Sequence, residues 1–181
     1  YKDYYKKYIS SINDILSDVD TDLIDSTVDL LKKKIDSNNT IYLAGNGGSS
    51  SIASHVSVDL VKIAKAKSQT FNESNLITCF ANDYGYEFWV SKAIEFYADK
   101  GDILIVISSS GKSKNMINAC KTARKKKLKS IITFSGFNIN NPLSKLGDIN
   151  FWVNSKNYNV VEMTHHIWLL AMVEALLEKK G

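Results

Sequence analysis

Thr40-Ile-Tyr-Leu-Ala-Gly-Asn-Gly-Gly-Ser-Ser50 and, sixty residues later, Asp102-Ile-Leu-Ile-Val-Ile-Ser-Ser-Ser-Gly-Lys-Ser113 decide how this chain folds. Each begins as an apolar, β-branched run, stops in small polar residues and passes into a helical pattern. That order predicts a buried parallel strand, a tight turn and a helix N-terminus. Small residues let an anion approach the backbone, where the first helical N–H groups lack partners and the helix dipole adds positive potential. Two such turns, one rich in hydroxyls, predict a phosphorylated small molecule held largely by uncharged groups. One turn alone reads equally well as a plain strand-to-helix connection with Gly and Ser as turn and cap residues.

Two better-known phosphate motifs are excluded. Gly111-Lys112-Ser113 resembles the end of a Walker A loop, but Val106 occupies the position of that loop's first glycine. Gly45-Asn46-Gly47 begins a dinucleotide fingerprint whose third glycine falls at Ser50, and no acidic residue ends the run Ile77-Thr78-Cys79-Phe80, read here as the next strand. No nucleotide cofactor is expected.

Working outward, amphipathic patterns predict helices near residues 2–17 and 21–37, strands near 40–45, 76–81, 102–108, 129–134 and 148–153, and helices near 50–67, 86–98, 113–126 and 158–179. The alternation makes an α/β fold with a doubly wound, five-stranded parallel sheet whose ligands bind at the carboxyl strand ends. Residues 1–38 form a helical extension to a core at 39–181, within a single domain. The two extra helices are expected to cover the sheet edge or a partner subunit.

Composition agrees. The chain has 181 residues and 44% hydrophobic content, enough for one substantial core. Lys and Arg number 23 against 19 Asp and Glu, and the surplus gathers in Arg124-Lys125-Lys126-Lys127 and Lys179-Lys180. These read as solvated helix ends rather than a nucleic-acid groove. Cys79, in the expected strand 76–81, and Cys120 read as buried, inert thiols. With no signal-peptide pattern and no apolar stretch of transmembrane length, a cytoplasmic location without membrane contact is expected.

The three histidines are His55, His165 and His166. His55 with Asp59, and Glu162 with His166, are spaced i,i+4, so each pair projects from one helix face. Together they have the composition of a zinc site or of an acid–base set moving protons beside a sugar carbonyl. The plainer reading is two surface ion pairs, with His165 a satisfied core residue.

Gly45-Asn-Gly-Gly-Ser49, Ala81-Asn-Asp-Tyr-Gly85 and Ile107-Ser-Ser-Ser-Gly-Lys-Ser113 resemble, in order and spacing, the motifs of a sugar isomerase (SIS) domain, and within that group the phosphoheptose isomerases. The resemblance implies a three-layer, flavodoxin-like fold. It also implies interconversion of sedoheptulose 7-phosphate and a manno-heptose 7-phosphate, the first step towards nucleotide-activated heptoses. Its members are cytoplasmic homotetramers with zinc-assisted sites at subunit interfaces. By the same resemblance, Ser108, Ser109, Ser110 and Ser113 bind phosphate, while Asn46, Gly47, Gly48 and Ser49, with Asn82 and Asp83, contact the sugar. His55 matches a metal ligand, Asp59 stands where the family has a Glu that is ligand and base, and Glu162 stands where it has a Gln ligand. Leu170 occupies the place of the family's last His. His166, one turn earlier on the same face, is the expected substitute, making His55, Asp59, Glu162 and His166 the candidate zinc set.

The implied chemistry is aldose–ketose isomerisation through an enediol. Asp59 or Glu162 abstracts the proton beside the carbonyl, His166 or His165 serves the oxyanion, and any metal polarises the carbonyl. The departures at residues 59, 162 and 170 also suit a different phosphosugar. Alternatively, they suit a non-catalytic tetramer that binds a protein partner, as one relative that assists the bacterial replication initiator does. Retention of all three histidines and both carboxylates favours catalysis.

Overall fold

The computed structural model describes residues 1–178; Lys179-Lys180, read above as a helix end, lies outside the described residues. Helices α1 (Lys2–Ser17) and α2 (Thr21–Asp36) precede β1 (Thr40–Gly45) and α3 (Gly48–Lys62). There follow β2 (Lys67–Thr70), α4 (Ser74–Tyr84), α5 (Trp89–Tyr97), β3 (Ile103–Ile107), α6 (Lys114–Lys125), β4 (Ser130–Gly136), β5 (Ile149–Val153) and α7 (Tyr158–Glu178). The strands are all parallel, in the order β2-β1-β3-β4-β5. The chain goes outward from β1 to β2 and then crosses back to β3, so the switch point lies between β1 and β3. Their register pairs Gly45 with Ile107, which sets the turns beginning at Asn46 and Ser108 side by side.

Both faces of the sheet are covered, which is why the central strands are apolar without alternation. Ile41, Leu43, Ile103, Ile105 and Ile107 face one core layer with α2, α3 and α7. Tyr42, Ala44, Leu104 and Val106 face the other, under α5 and α6, with α4 along its margin. Each fully buried branched side chain contributes about 1.5–3 kcal/mol. The second N-terminal helix therefore covers a sheet face rather than an edge. By contrast, α1 has no buried residue and leaves Tyr4, Tyr5 and Ile9 more than half exposed.

Several expectations need correction. Residues 76–81 are helical. Their apolar side chains Leu76, Ile77, Phe80 and Ala81 repeat with helical spacing against the second core layer, and the Glu73 side chain caps the helix at the Leu76 N–H (2.9 Å). The second strand is instead Lys67-Ser-Gln-Thr70, an edge strand paired only with β1. It ends in Thr70, so no acidic residue closes it either. The preceding helix stops at Lys62, short of residue 67. Cys79 is consequently exposed on α4, whereas Cys120 is buried, and burial pushes its thiol up to about 12. Finally, α7 is long and apolar enough to cross a membrane by length and composition, with mean hydropathy 1.4, against the expectation of no such stretch. Half of it is buried within the fold, because it packs on the sheet, α2 and α3.

Candidate active site

A cavity of about 130 Å³ opens at the carboxyl ends of β1 and β3, lined by Asn46, Ser49, Ile107, Ser108, Ser109, Ser110, Ser113, Tyr158 and Glu162. Three helices begin at its wall: α3 at Gly48, α6 at Lys114 after its N-cap Ser113, and α7 at Tyr158. Their dipoles direct positive potential into the cavity. Among the described residues no Lys or Arg lines it. An anion placed here meets backbone N–H groups and hydroxyls, as the two small-residue turns led one to expect.

The serine turn is tightly held. The Gly111 N–H donates to the Ser108 carbonyl (2.8 Å), the Ser108 hydroxyl to Ser113 Oγ (3.1 Å), and the Lys112 N–H to Ser110 Oγ (3.3 Å). Gly111 has φ +63°, and a Cβ there would run into the Asn141 carboxamide, so only glycine serves. The Ser109 hydroxyl is buried with no hydrogen-bond partner among the described residues. A buried hydroxyl without a protein partner at a cavity wall is free to donate to an anion's oxygen.

Glu162 supplies the cavity's carboxyl group. It lies over Gly48, where any Cβ would collide with its carboxylate, and Ser49 bonds it through hydroxyl and backbone. Burial raises its pKa above the ordinary range, against the opposing pull of those bonds. Gly47, at φ +54°, turns the chain into α3 without lining the cavity.

One turn further along α7, His166 Nε2 lies 2.9 Å from His55 Nδ1, and His55 Nε2 lies 3.3 Å from Asp59 Oδ2. The contact between the two rings needs one nitrogen to donate and the other to accept, so it couples the proton position on one histidine to that on the other. Burial, then the neighbouring His55, lowers the His166 pKa, while Asp59 raises it. The structure thus joins His55 and Asp59 of α3 to His166 of α7 through one ring–ring hydrogen bond and one ion-pair contact, while Glu162 bonds to Ser49 instead.

As a zinc site the four residues do not fit. Both His55 nitrogens are occupied by protein groups, Glu162 leans onto Ser49, and among the described residues no three His, Cys, Asp or Glu side chains are grouped to hold an ion. Leu170 is partly buried against the first core layer.

His165 is not in the cavity. It is fully buried, with Nε2 donating to the Ser135 carbonyl (3.0 Å) and its ring edge-on to Phe134. Burial lowers its pKa to about 4, so it is a neutral core residue and its expected catalytic part falls away. Asn82 and Asp83 are exposed at the end of α4, bonded to each other (3.0 Å), and do not line the cavity. Their near neighbour Tyr86, also outside the lining, touches the lining residue Asn46 instead, donating to its Oδ1 (3.3 Å). Sequence reasoning missed Tyr86, Asn115 and Tyr158. The last had a signal, since it stands four residues before Glu162 on the same helical face.

Residues 4–135 match the family model described as the SIS domain. The chain belongs to the SIS domain family. This SIS-domain chain is 33% identical over 165 residues to the phosphoheptose isomerase of Thermodesulfovibrio yellowstonii, covering 86% of this chain and 81% of that protein. It is 29% identical to the phosphoheptose isomerase of Buchnera aphidicola subsp. Schizaphis graminum, covering 97% of each. In three dimensions it superimposes on the phosphoheptose isomerase of Neisseria gonorrhoeae with TM-score 0.89 over 97% of both chains, at 20% identity.

Proposed function

We propose that this chain is an aldose–ketose isomerase converting sedoheptulose 7-phosphate to D-glycero-D-manno-heptose 7-phosphate, acting in the cytoplasm at the start of nucleotide-activated heptose synthesis. One observation carries the reading: a single cavity contains both a charge-free phosphate seat and a carboxyl group of raised pKa. The phosphoheptose isomerases to which the chain is similar supply the sugar.

The serine turn fixes the phosphate and so orients the reacting end. Glu162 lines the cavity and Asp59 does not, so Glu162 is the base. It removes a proton from C1 of the ketose while the carbonyl oxygen at C2 takes one up. The resulting enediol loses its O1 proton as Glu162 returns its own to C2. His166, one turn beyond Glu162 on α7 and outside the cavity lining, exchanges the oxygen protons with the substrate through water. No step is assigned to zinc.

The outward faces of α3 and α7 leave Val58, Val61, Met163 and Ile167 exposed beside this chain of side chains, and α1 adds Tyr4, Tyr5 and Ile9. Such a surface suits a homo-oligomer, a tetramer by resemblance, and light scattering measures it.

Proton NMR of sedoheptulose 7-phosphate with the protein in D2O tests the function. An aldoheptose phosphate deuterated at C2 is expected, at the same rate with zinc as with EDTA. No new sugar in either tube overturns the reading, and loss of activity in EDTA alone overturns its metal-free form.

A further inference from the structure

Asn46 and Asn115 form a reciprocal pair. Asn46 Nδ2 donates to Asn115 Oδ1 (2.9 Å), and Asn115 Nδ2 donates back to Asn46 Oδ1 (2.8 Å). Asn115 is 2% exposed in the first turn of α6, and its Oδ1 also accepts the Met116 N–H (3.1 Å), which fixes the orientation of its amide in the pair. Asn46 Oδ1 has a second donor in the Tyr86 hydroxyl. Both acceptor sites of Asn46 are therefore filled and one of its two N–H bonds is used. What remains for a ligand is one N–H, on a residue that lines the cavity.

We propose that Asn115 is a positioning residue that locks the Asn46 carboxamide so that it serves the substrate only as a hydrogen-bond donor, to the oxygen that gains charge during enolisation. A flip of Asn46 would set oxygen against oxygen and nitrogen against nitrogen across the pair, so the lock selects one orientation. A donor held in place beforehand costs no reorganisation when the oxyanion forms. The lock also discriminates: the position accepts a carbonyl or alkoxide oxygen and rejects a group that can only donate, such as an ammonium. The inference rests on the isomerase reading.

The experiment is a double-mutant cycle on the full chain. Asn46→Ala should lower kcat about a hundredfold, the usual cost of one oxyanion donor. Asn115→Leu should lower it about tenfold, because the donor is misdirected rather than lost, with KM, set by the serine turn, unchanged. In Asn46→Ala/Asn115→Leu the rate should equal that of Asn46→Ala, since Asn115 acts only through Asn46. Losses that multiply, or wild-type kcat in Asn115→Leu, overturn the proposal; if that variant does not fold, Asn115→Ser is read by the same criteria. A wild-type protein that turns over no sugar phosphate refutes the isomerase reading instead. The lock is then judged on isotope-labelled protein by hydrogen exchange of the Asn46 side-chain amide, slow in wild type and fast in Asn115→Leu; equal rates overturn it.

Discussion

The two halves of the cavity are built by different means. The phosphate half consists of backbone and short side chains, positioned by the pairing of Gly45 with Ile107 and by the N-termini of α3, α6 and α7. The proton-transfer half consists of Glu162 in the cavity wall and, outside the lining, His166, His55 and Asp59, long side chains brought to one side only because α3 packs on α7. The first is fixed by the sheet and resists change. The second depends on rotamers, and single atoms decide it, such as the Cβ that Gly48 lacks under Glu162.

If the halves are separable, Glu162→Gln should lower kcat about a thousandfold, within the range for a lost general base. The melting shift given by a phosphate ester should survive. The base must be ionised, so wild-type kcat/KM should fall as pH drops through a value above the ordinary glutamate pKa of 4.5. Equal loss of catalysis and of phosphate binding would mean that the halves are one unit.

The adjacent histidines sharpen the contrast by stability. His165 takes a proton near pH 6.5 when unfolded and only near pH 4 when folded. Full stability is thus present above pH 6.5 and is lost progressively as pH falls towards 4, by about 3 kcal/mol in all. Urea melts at pH 7 and pH 4.5 should show this in wild type, and the acid loss should shrink in His165→Asn. An unchanged acid loss there would place its origin elsewhere.

The smallest effect belongs to the phosphate half. Ser109→Ala should raise KM about tenfold, the worth of one hydrogen bond to a charged group, with kcat little changed. It should also raise the melting temperature of the ligand-free protein, because it removes a buried hydroxyl that has no partner. A lower melting temperature would make Ser109 a structural residue.

The phosphate half was also the legible half. The central strands β1, β3 and β4 and both turns declare themselves as largely apolar runs ending in Gly, Asn or Ser, because a strand buried on both faces has few polar positions to blur it, and the edge strand β5 is apolar enough to be read as well. Lys67-Ser-Gln-Thr70 carries no such mark, being short, polar and at the edge, and the apolar residues of α4 were taken for it. On the helices, i,i+4 spacing showed that His55 and Asp59 share a face, as do Glu162 and His166. It was silent on how the two faces meet. Spacing therefore suggested a metal cluster where packing gives a chain of side-chain contacts, and it could not tell the buried His165 from the half-buried His166. Asn115 left no trace, because its partner Asn46 stands 69 residues away.

The pairing of β1 with β3 has a dynamic consequence. These neighbouring central strands hold backbone amides that open only when the whole domain unfolds, whereas edge strands and helix ends fray far more often. The floor of the cavity hangs from their last paired residues. The phosphate seat should then persist through every partial opening at β2 or α1 and disappear only with global unfolding, so that ligand binding reports on the domain as a whole.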